Sequence, residues 1–125
     1  MLFGIPLRRA VLTNSDVQHA TRVLTHVNLL DCFERIIDIR ALNFINKPDP
    51  KAYQLALAML GVSAAETIFV EDTPVNTRSA KALGIRTILV DHPFTADADH
   101  CVASLLEVGP LVARLLAAEA SANEA

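Results

Sequence analysis

Apolar residues along this chain fall into short unbroken runs that alternate with longer sets at helical spacing. Ala10-Val11-Leu12 stops at Thr13-Asn14-Ser15-Asp16, the pattern of a short buried strand ending in a polar loop. Val17, Ala20, Leu24 and Val27 then recur at helical spacing over residues 17 to about 29, with Ser15 or Asp16 placed to cap the helix. Ile36-Ile37-Asp38-Ile39 is a second short run rich in β-branched residues. The irregular stretch after it ends in Lys47-Pro48-Asp49-Pro50, whose prolines forbid helix until after Asp49.

Pro50 suits the first turn of a helix that turns Tyr53, Ala56, Leu57 and Leu60 inward, and Gly61 is placed to end it in a left-handed conformation. Thr67-Ile68-Phe69-Val70 reads as a buried strand ending at Glu71-Asp72-Thr73-Pro74. A helix over 75–83 closes at Gly84, and a strand follows over 86–90. Beyond a polar stretch to Asp99, the pattern predicts a short edge strand at 100–102, a helix over about 110–118 and a frayed tail over 119–125. Strands too apolar to face water, alternating with helices, predict a parallel Rossmann-like sheet in a three-layer α/β/α sandwich. No repeat or linker divides the chain, so residues 1–125 read as one domain.

Composition narrows the picture. With 125 residues, 52% of them hydrophobic, the chain can enclose one apolar core. The net charge of -3 comes from acids and bases mixed along the sequence, so no nucleic acid or anionic membrane is expected as a partner. Cys32 and Cys101 lie outside any CxxC spacing and read as reduced thiols. The N-terminus lacks the order of a signal peptide, and no apolar run approaches membrane-spanning length, so a cytoplasmic location is expected.

In an open parallel sheet ligands gather at the carboxyl ends of the strands. Three polar clusters fall there. Thr13-Asn14-Ser15 offers hydroxyls, an amide and free N–H groups before a helix, suited to a phosphate or to ordinary capping. Lys47, stiffened by its prolines, can neutralise a phosphoryl oxygen or a carboxylate, or be a plain surface lysine. Glu71-Asp72, with Asn76 four residues after Asp72, sets two acids at the end of an apolar strand. Such a pair needs donors or a cation, and magnesium (Mg2+) suits one or two carboxylates with a phosphate oxygen. The acids and histidines over 91–100 lack a spacing that would converge on a metal, and His19 and His26 are assigned no role.

The segments Val-Leu-Thr13-Asn14, Lys47-Pro48-Asp49-Pro50 and Phe-Val-Glu71-Asp72-Thr73-Pro74-Val75-Asn76, in this order, resemble the second, third and fourth motifs of haloacid dehalogenase-like (HAD) hydrolases. The likeness covers roughly residues 8 to 117. Within that superfamily Arg9-Ala-Val-Leu-Thr-Asn-Ser, the turn Leu30-Asp31-Cys32-Phe33 and Glu71-Asp72-Thr73 with Asn76 look most similar to pyrimidine 5′-nucleotidases. The resemblance implies a phosphomonoesterase acting on a small phosphorylated metabolite such as a nucleoside monophosphate. It implies that Thr13 and the Asn14 backbone bind the phosphoryl group, that Lys47 steadies the charge, and that Asp72 holds magnesium with support from Glu71. Asn76 would orient Lys47 or a metal-bound water.

The family's reaction starts at an Asp-x-Asp on the first strand, and no such pattern follows an apolar strand here; Asp97-Ala98-Asp99 sits in a late polar loop. The cap inserted before the second motif is also absent. The chain therefore reads as the C-terminal part of a HAD core, inactive alone, or as a non-catalytic phosphate-binding or interaction module derived from one. Without the first strand, an exposed sheet edge is expected to favour self-association. A response-regulator receiver shares these residue types but in a different order.

Overall fold

The computed structural model describes residues 7–26 and 33–124, with side chains as far as residue 120. The elements are β1 (Ala10–Leu12), α1 (Val17–His26), β2 (Arg35–Ile37), α2 (Pro50–Leu60), β3 (Ile68–Glu71), α3 (Pro74–Ala82), β4 (Arg86–Val90), β5 (His100–Val102) and α4 (Val108–Glu124). Single 3-10 turns at Ala64–Glu66 and Leu105–Glu107 precede β3 and α4.

Every strand pair is parallel, as the alternation predicts, with β1 on β2, β3 on β4 and β4 on β5. The helices cover both faces. Ile88 of β4 packs with Val108, Leu111 and Val112 of α4 on one side. Tyr53 of α2, Ala80 of α3 and Ile85 pack with Phe69 of β3 on the other. A smaller core joins Ile37 and Leu42 to Ala52 and Ala56 of α2. The described strands form two sheets, β1-β2 and β3-β4-β5, rather than one.

Local chemistry explains where the elements stop. Asp38 ends β2 early because its carboxylate turns to accept from Val17 N–H (2.9 Å) and Ala41 N–H (2.8 Å), tying the start of α1 to the strand. Asp16 caps α1 by accepting from His19 N–H at 2.7 Å. Asp49 caps α2, with Pro50 in its first turn, and Gly61 (φ 69°) takes the left-handed position after it. The predicted extension of α1 to residue 29, the turn over 30–33 except Phe33, and Cys32 lie outside the described residues. Cys101 is a free thiol.

At the other end α4 continues to Glu124, past the helix end expected near residue 118. Ala117-Ala118-Glu119-Ala120 contains no helix breaker. Among the described residues no helix is long and apolar enough to cross a membrane.

The loop after β2 stores backbone strain. Asn43 (φ 54°) and Phe44 (φ 63°) are consecutive left-handed residues, and Phe44 is 71% exposed. A side chain so exposed contributes little packing, while its conformation costs about 1–2 kcal/mol. Phe44→Asn, a residue that tolerates this region, is expected to raise stability by about 0.5–1 kcal/mol in urea denaturation, with an unchanged m value.

Candidate active site

Loops at the carboxyl ends of β1 and β3 converge on Lys47. Asn14, two residues past β1, clamps its backbone: Asn14 Oδ1 accepts from Lys47 N–H at 2.9 Å and Asn14 Nδ2 donates to Lys47 O at 3.2 Å. The Lys47–Pro48 peptide is cis, and Ser79 Oγ of α3 donates to Pro48 O. Held this way, the Lys47 ammonium donates to Glu71 Oε1 at 2.8 Å, both side chains being largely buried at 11% and 8% exposure. The same ammonium stands 5.5 Å from the centre of the Phe69 ring, within cation–π range.

Glu71 is the hub. Its Oε1 also accepts from Asn76 Nδ2 at 3.1 Å, and its Oε2 accepts from Asp72 N–H (2.8 Å) and Thr73 N–H (3.1 Å). Four donors fill the acceptor sites of one carboxylate. Burial pushes the Glu71 carboxyl up, but the hydrogen bond and charge of Lys47, with the hydrogen bonds from Asp72, outweigh it and hold the group at about 2. Beneath the hub Tyr53, buried on α2, donates to Asn76 O at 2.8 Å and meets Phe69 edge-on, ring centres 5.5 Å apart. Burial and the charge of Glu71 raise the Tyr53 hydroxyl above its ordinary range, so it stays a neutral donor.

Thr13 follows β1 directly and precedes Asn14. Its Oγ1 accepts from Ser15 N–H at 3.1 Å and lies 2.8 Å from Ser15 Oγ. When the serine hydroxyl donates, the threonine proton is left to aim at an anion. Asp72 is exposed; its Oδ1 accepts from Thr73 Oγ1 at 3.1 Å.

Asn14, Lys47, Glu71 and Asn76 are thus joined by hydrogen bonds, Thr13 neighbours Asn14 in the chain but bonds to Ser15, and Asp72 stands exposed beside Glu71. Two roles differ from the sequence expectation. The Asn14 side chain works as a clamp on Lys47, a bond between residues 33 positions apart that no local pattern announces. Glu71, expected to support a metal, is occupied by Lys47, Asn76 and two backbone donors, so a cation would fall to Asp72. Among the described residues no group of three or more His, Cys, Asp or Glu converges as a complete metal site. One carboxylate with waters and a phosphate oxygen still meets the usual demand of magnesium. The late Asp97-Ala98-Asp99 is structural: Asp99 Oδ2 accepts from Thr87 N–H (2.8 Å) and Thr87 Oγ1 (3.0 Å).

Fold and site together define a Rossmann-like α/β protein with its polar loop cluster beyond the carboxyl ends of parallel strands. The chain belongs to the haloacid dehalogenase-like hydrolases, whose family model matches residues 4–84. It is 33% identical over 79 residues to an (S)-2-haloacid dehalogenase of Xanthobacter autotrophicus, covering 63% of this chain and 31% of that protein. It is 32% identical over 85 residues to a phosphoglycolate phosphatase of Pectobacterium atrosepticum, covering 68% and 35%. The structure of an L-2-haloacid dehalogenase from Xanthobacter autotrophicus superposes with a TM-score of 0.80 at 23% identity, covering 90% of this chain and 58% of that one. The chain therefore spans less than two thirds of the length of these relatives.

Proposed function

We propose that this chain supplies the phosphate-binding and cation-binding half of a magnesium-dependent phosphomonoesterase. The observation that carries the reading is the Lys47–Glu71 pair, buried, clamped by Asn14 and flanked by the exposed carboxylate of Asp72. A phosphoryl dianion bound beside Asp72 would require a cation between them, and a phosphatase stands among the relatives beside the dehalogenases.

In this reading Thr13 donates its hydroxyl proton, and the Asn14 N–H its proton, to phosphoryl oxygens. Lys47 donates one N–H to Glu71 and turns the others to the phosphoryl group. Glu71 and Asn76 fix the ammonium, and Asp72 holds the magnesium ion. When bound, that ion supplies charge compensation at the phosphoryl oxygens. Resemblance to the family supplies the covalent step. A carboxylate attacks phosphorus, the bond to the ester oxygen breaks, and a neighbouring carboxyl group protonates the leaving oxygen. Water then attacks the acyl phosphate, releasing orthophosphate and restoring the carboxylate. Glu71 is taken by Lys47 and Asp72 by the cation, so we assign the nucleophile to polypeptide beyond these 125 residues. The substrate class is a small phosphomonoester, and the resemblance to pyrimidine 5′-nucleotidases makes uridine monophosphate the first to try.

The test is a thermal melt of the chain with magnesium, inorganic phosphate, or both, beside Asp72→Asn. Wild type should gain several degrees with both ligands, and the variant should lose the magnesium-dependent part. No gain in a folded wild-type chain would sink the reading. Orthophosphate release from uridine monophosphate by the chain alone, lost in Asp72→Asn, would instead place the nucleophile within these residues. A chain that binds without turnover even when a nucleophile strand is supplied would be the non-catalytic phosphate-binding module.

A further inference from the structure

The segments that follow β1, β2 and β3 meet at Lys47. Asn14 comes from the first, Lys47 itself ends the second, and Glu71 closes β3. Each of the three also carries an exposed apolar side chain. Val17 begins α1 and is 45% exposed, Val75 lies in the first turn of α3 at 38%, and Phe44, in the loop after β2, is 71% exposed. Phe44 is three residues from Lys47, so their Cα atoms stand no more than about 11 Å apart. A ring joined to a phosphoryl group on the Lys47 ammonium falls within the same range.

The backbone of Phe44 is firmly held. Its N–H donates to Ile39 O at 2.8 Å, and Ile39 N–H donates to Ser15 O at 3.0 Å, which ties the loop to the segment after β1. Farther along, Asn14 clamps Lys47. Leu42 and Ile45, on either side of Phe44, pack with Ile37, Ala52 and Ala56. The position costs free energy twice over. Its left-handed backbone (φ 63°) is one that Gly or Asn adopts more easily, and its phenyl ring stands in water. Apolar side chains exposed singly are ordinary. A strained one, over-determined by the bonds around it and three residues from a buried ammonium, is a candidate for ligand contact.

We infer that Phe44 is a specificity-determining residue whose ring packs on the aromatic leaving group of a phosphomonoester, with Val17 and Val75 extending the apolar rim. This rests on the phosphomonoesterase reading and deepens it, selecting aryl and nucleoside phosphates over short aliphatic ones. Aromatic rings and nucleobases gain from offset or edge-on packing against phenylalanine. A protein partner is disfavoured by size: one ring and two valines fall far short of the about 800 Å² per partner of a stable interface.

The experiment compares dissociation constants of phenyl phosphate and methyl phosphate, both dianions at pH 8, with inorganic phosphate as the reference. They are measured by calorimetric titration in magnesium buffer on the whole chain and on Phe44→Tyr, Phe44→Leu and Phe44→Asn. Wild type should bind phenyl phosphate about fivefold more tightly than methyl phosphate. Phe44→Tyr should keep that ratio, Phe44→Leu should reduce it, and Phe44→Asn should bring it close to unity. Because the asparagine variant is expected to be the more stable protein, its loss of preference does not come from unfolding. A ratio that survives in Phe44→Asn, or that is missing from a wild-type chain that binds inorganic phosphate, overturns the role of Phe44 and leaves the phosphate reading standing. A folded chain that binds none of the three ligands overturns both.

Discussion

Lys47→Met is expected to destabilise the chain by about 3 kcal/mol at neutral pH, because it strands the Glu71 carboxylate in a site with little water. The lysine and glutamate side chains are 11% and 8% exposed and meet at 2.8 Å. Methionine keeps most of the side-chain volume, so the loss reads the charge and its hydrogen bond rather than a cavity. The pH dependence gives the sign. In the wild type the Glu71 carboxyl lies at about 2, below its ordinary 4.5. Its contribution is therefore complete above about pH 4.5 and lost as the pH falls through about 2. Without the ammonium, burial raises the same group, and protonation relieves the penalty. Urea denaturation across this range should show wild type and variant converging as the pH falls. A gap that stays constant would mean that Lys47 acts through packing alone. The variant should also lose the melting shift produced by inorganic phosphate.

Tyr53→Ala is expected to cost about 4 kcal/mol and Tyr53→Phe about 1 kcal/mol. The ring is 2% exposed and sits edge-on to Phe69 at 5.5 Å, so truncation opens a cavity beneath the residue over which Lys47 is held. Phenylalanine retains that contact and loses only the bond from the hydroxyl to Asn76 O. Denaturation midpoints of the two variants separate these contributions. Equal losses would assign the whole effect to the hydroxyl and contradict the packing account.

Much of this was legible in the chain itself. Ala10-Val11-Leu12 and Ile68-Phe69-Val70 are strands, as short apolar runs bounded by polar or turn residues suggest. Pro50 and Gly61 bound α2 through dihedral angles that belong to those residue types. The candidate residues Thr13, Lys47, Glu71 and Asp72 could be named because each ends an apolar run or stands beside a proline pair. The ends of β2 and α4 were less legible. Asp38 leaves its strand to cap a helix that begins 21 residues earlier in the chain, and the alanine-rich tail continues a helix whose outer turns have no stop signal.

Sequence by itself thus determined the order and type of the elements, the parallel α/β class and the residues able to carry chemistry. These depend on periodicity, backbone preference and side-chain type, all of which act over a few residues. Tertiary structure alone decided that Asn14 clamps Lys47, that Glu71 gives its oxygens to Lys47 and Asn76 while Asp72 is left open, and that the described strands part into two sheets. Each of these depends on which distant backbone edges and side chains come within 3 Å or so of one another, and hydrogen bonding at that range is settled by the packing of whole helices and strands.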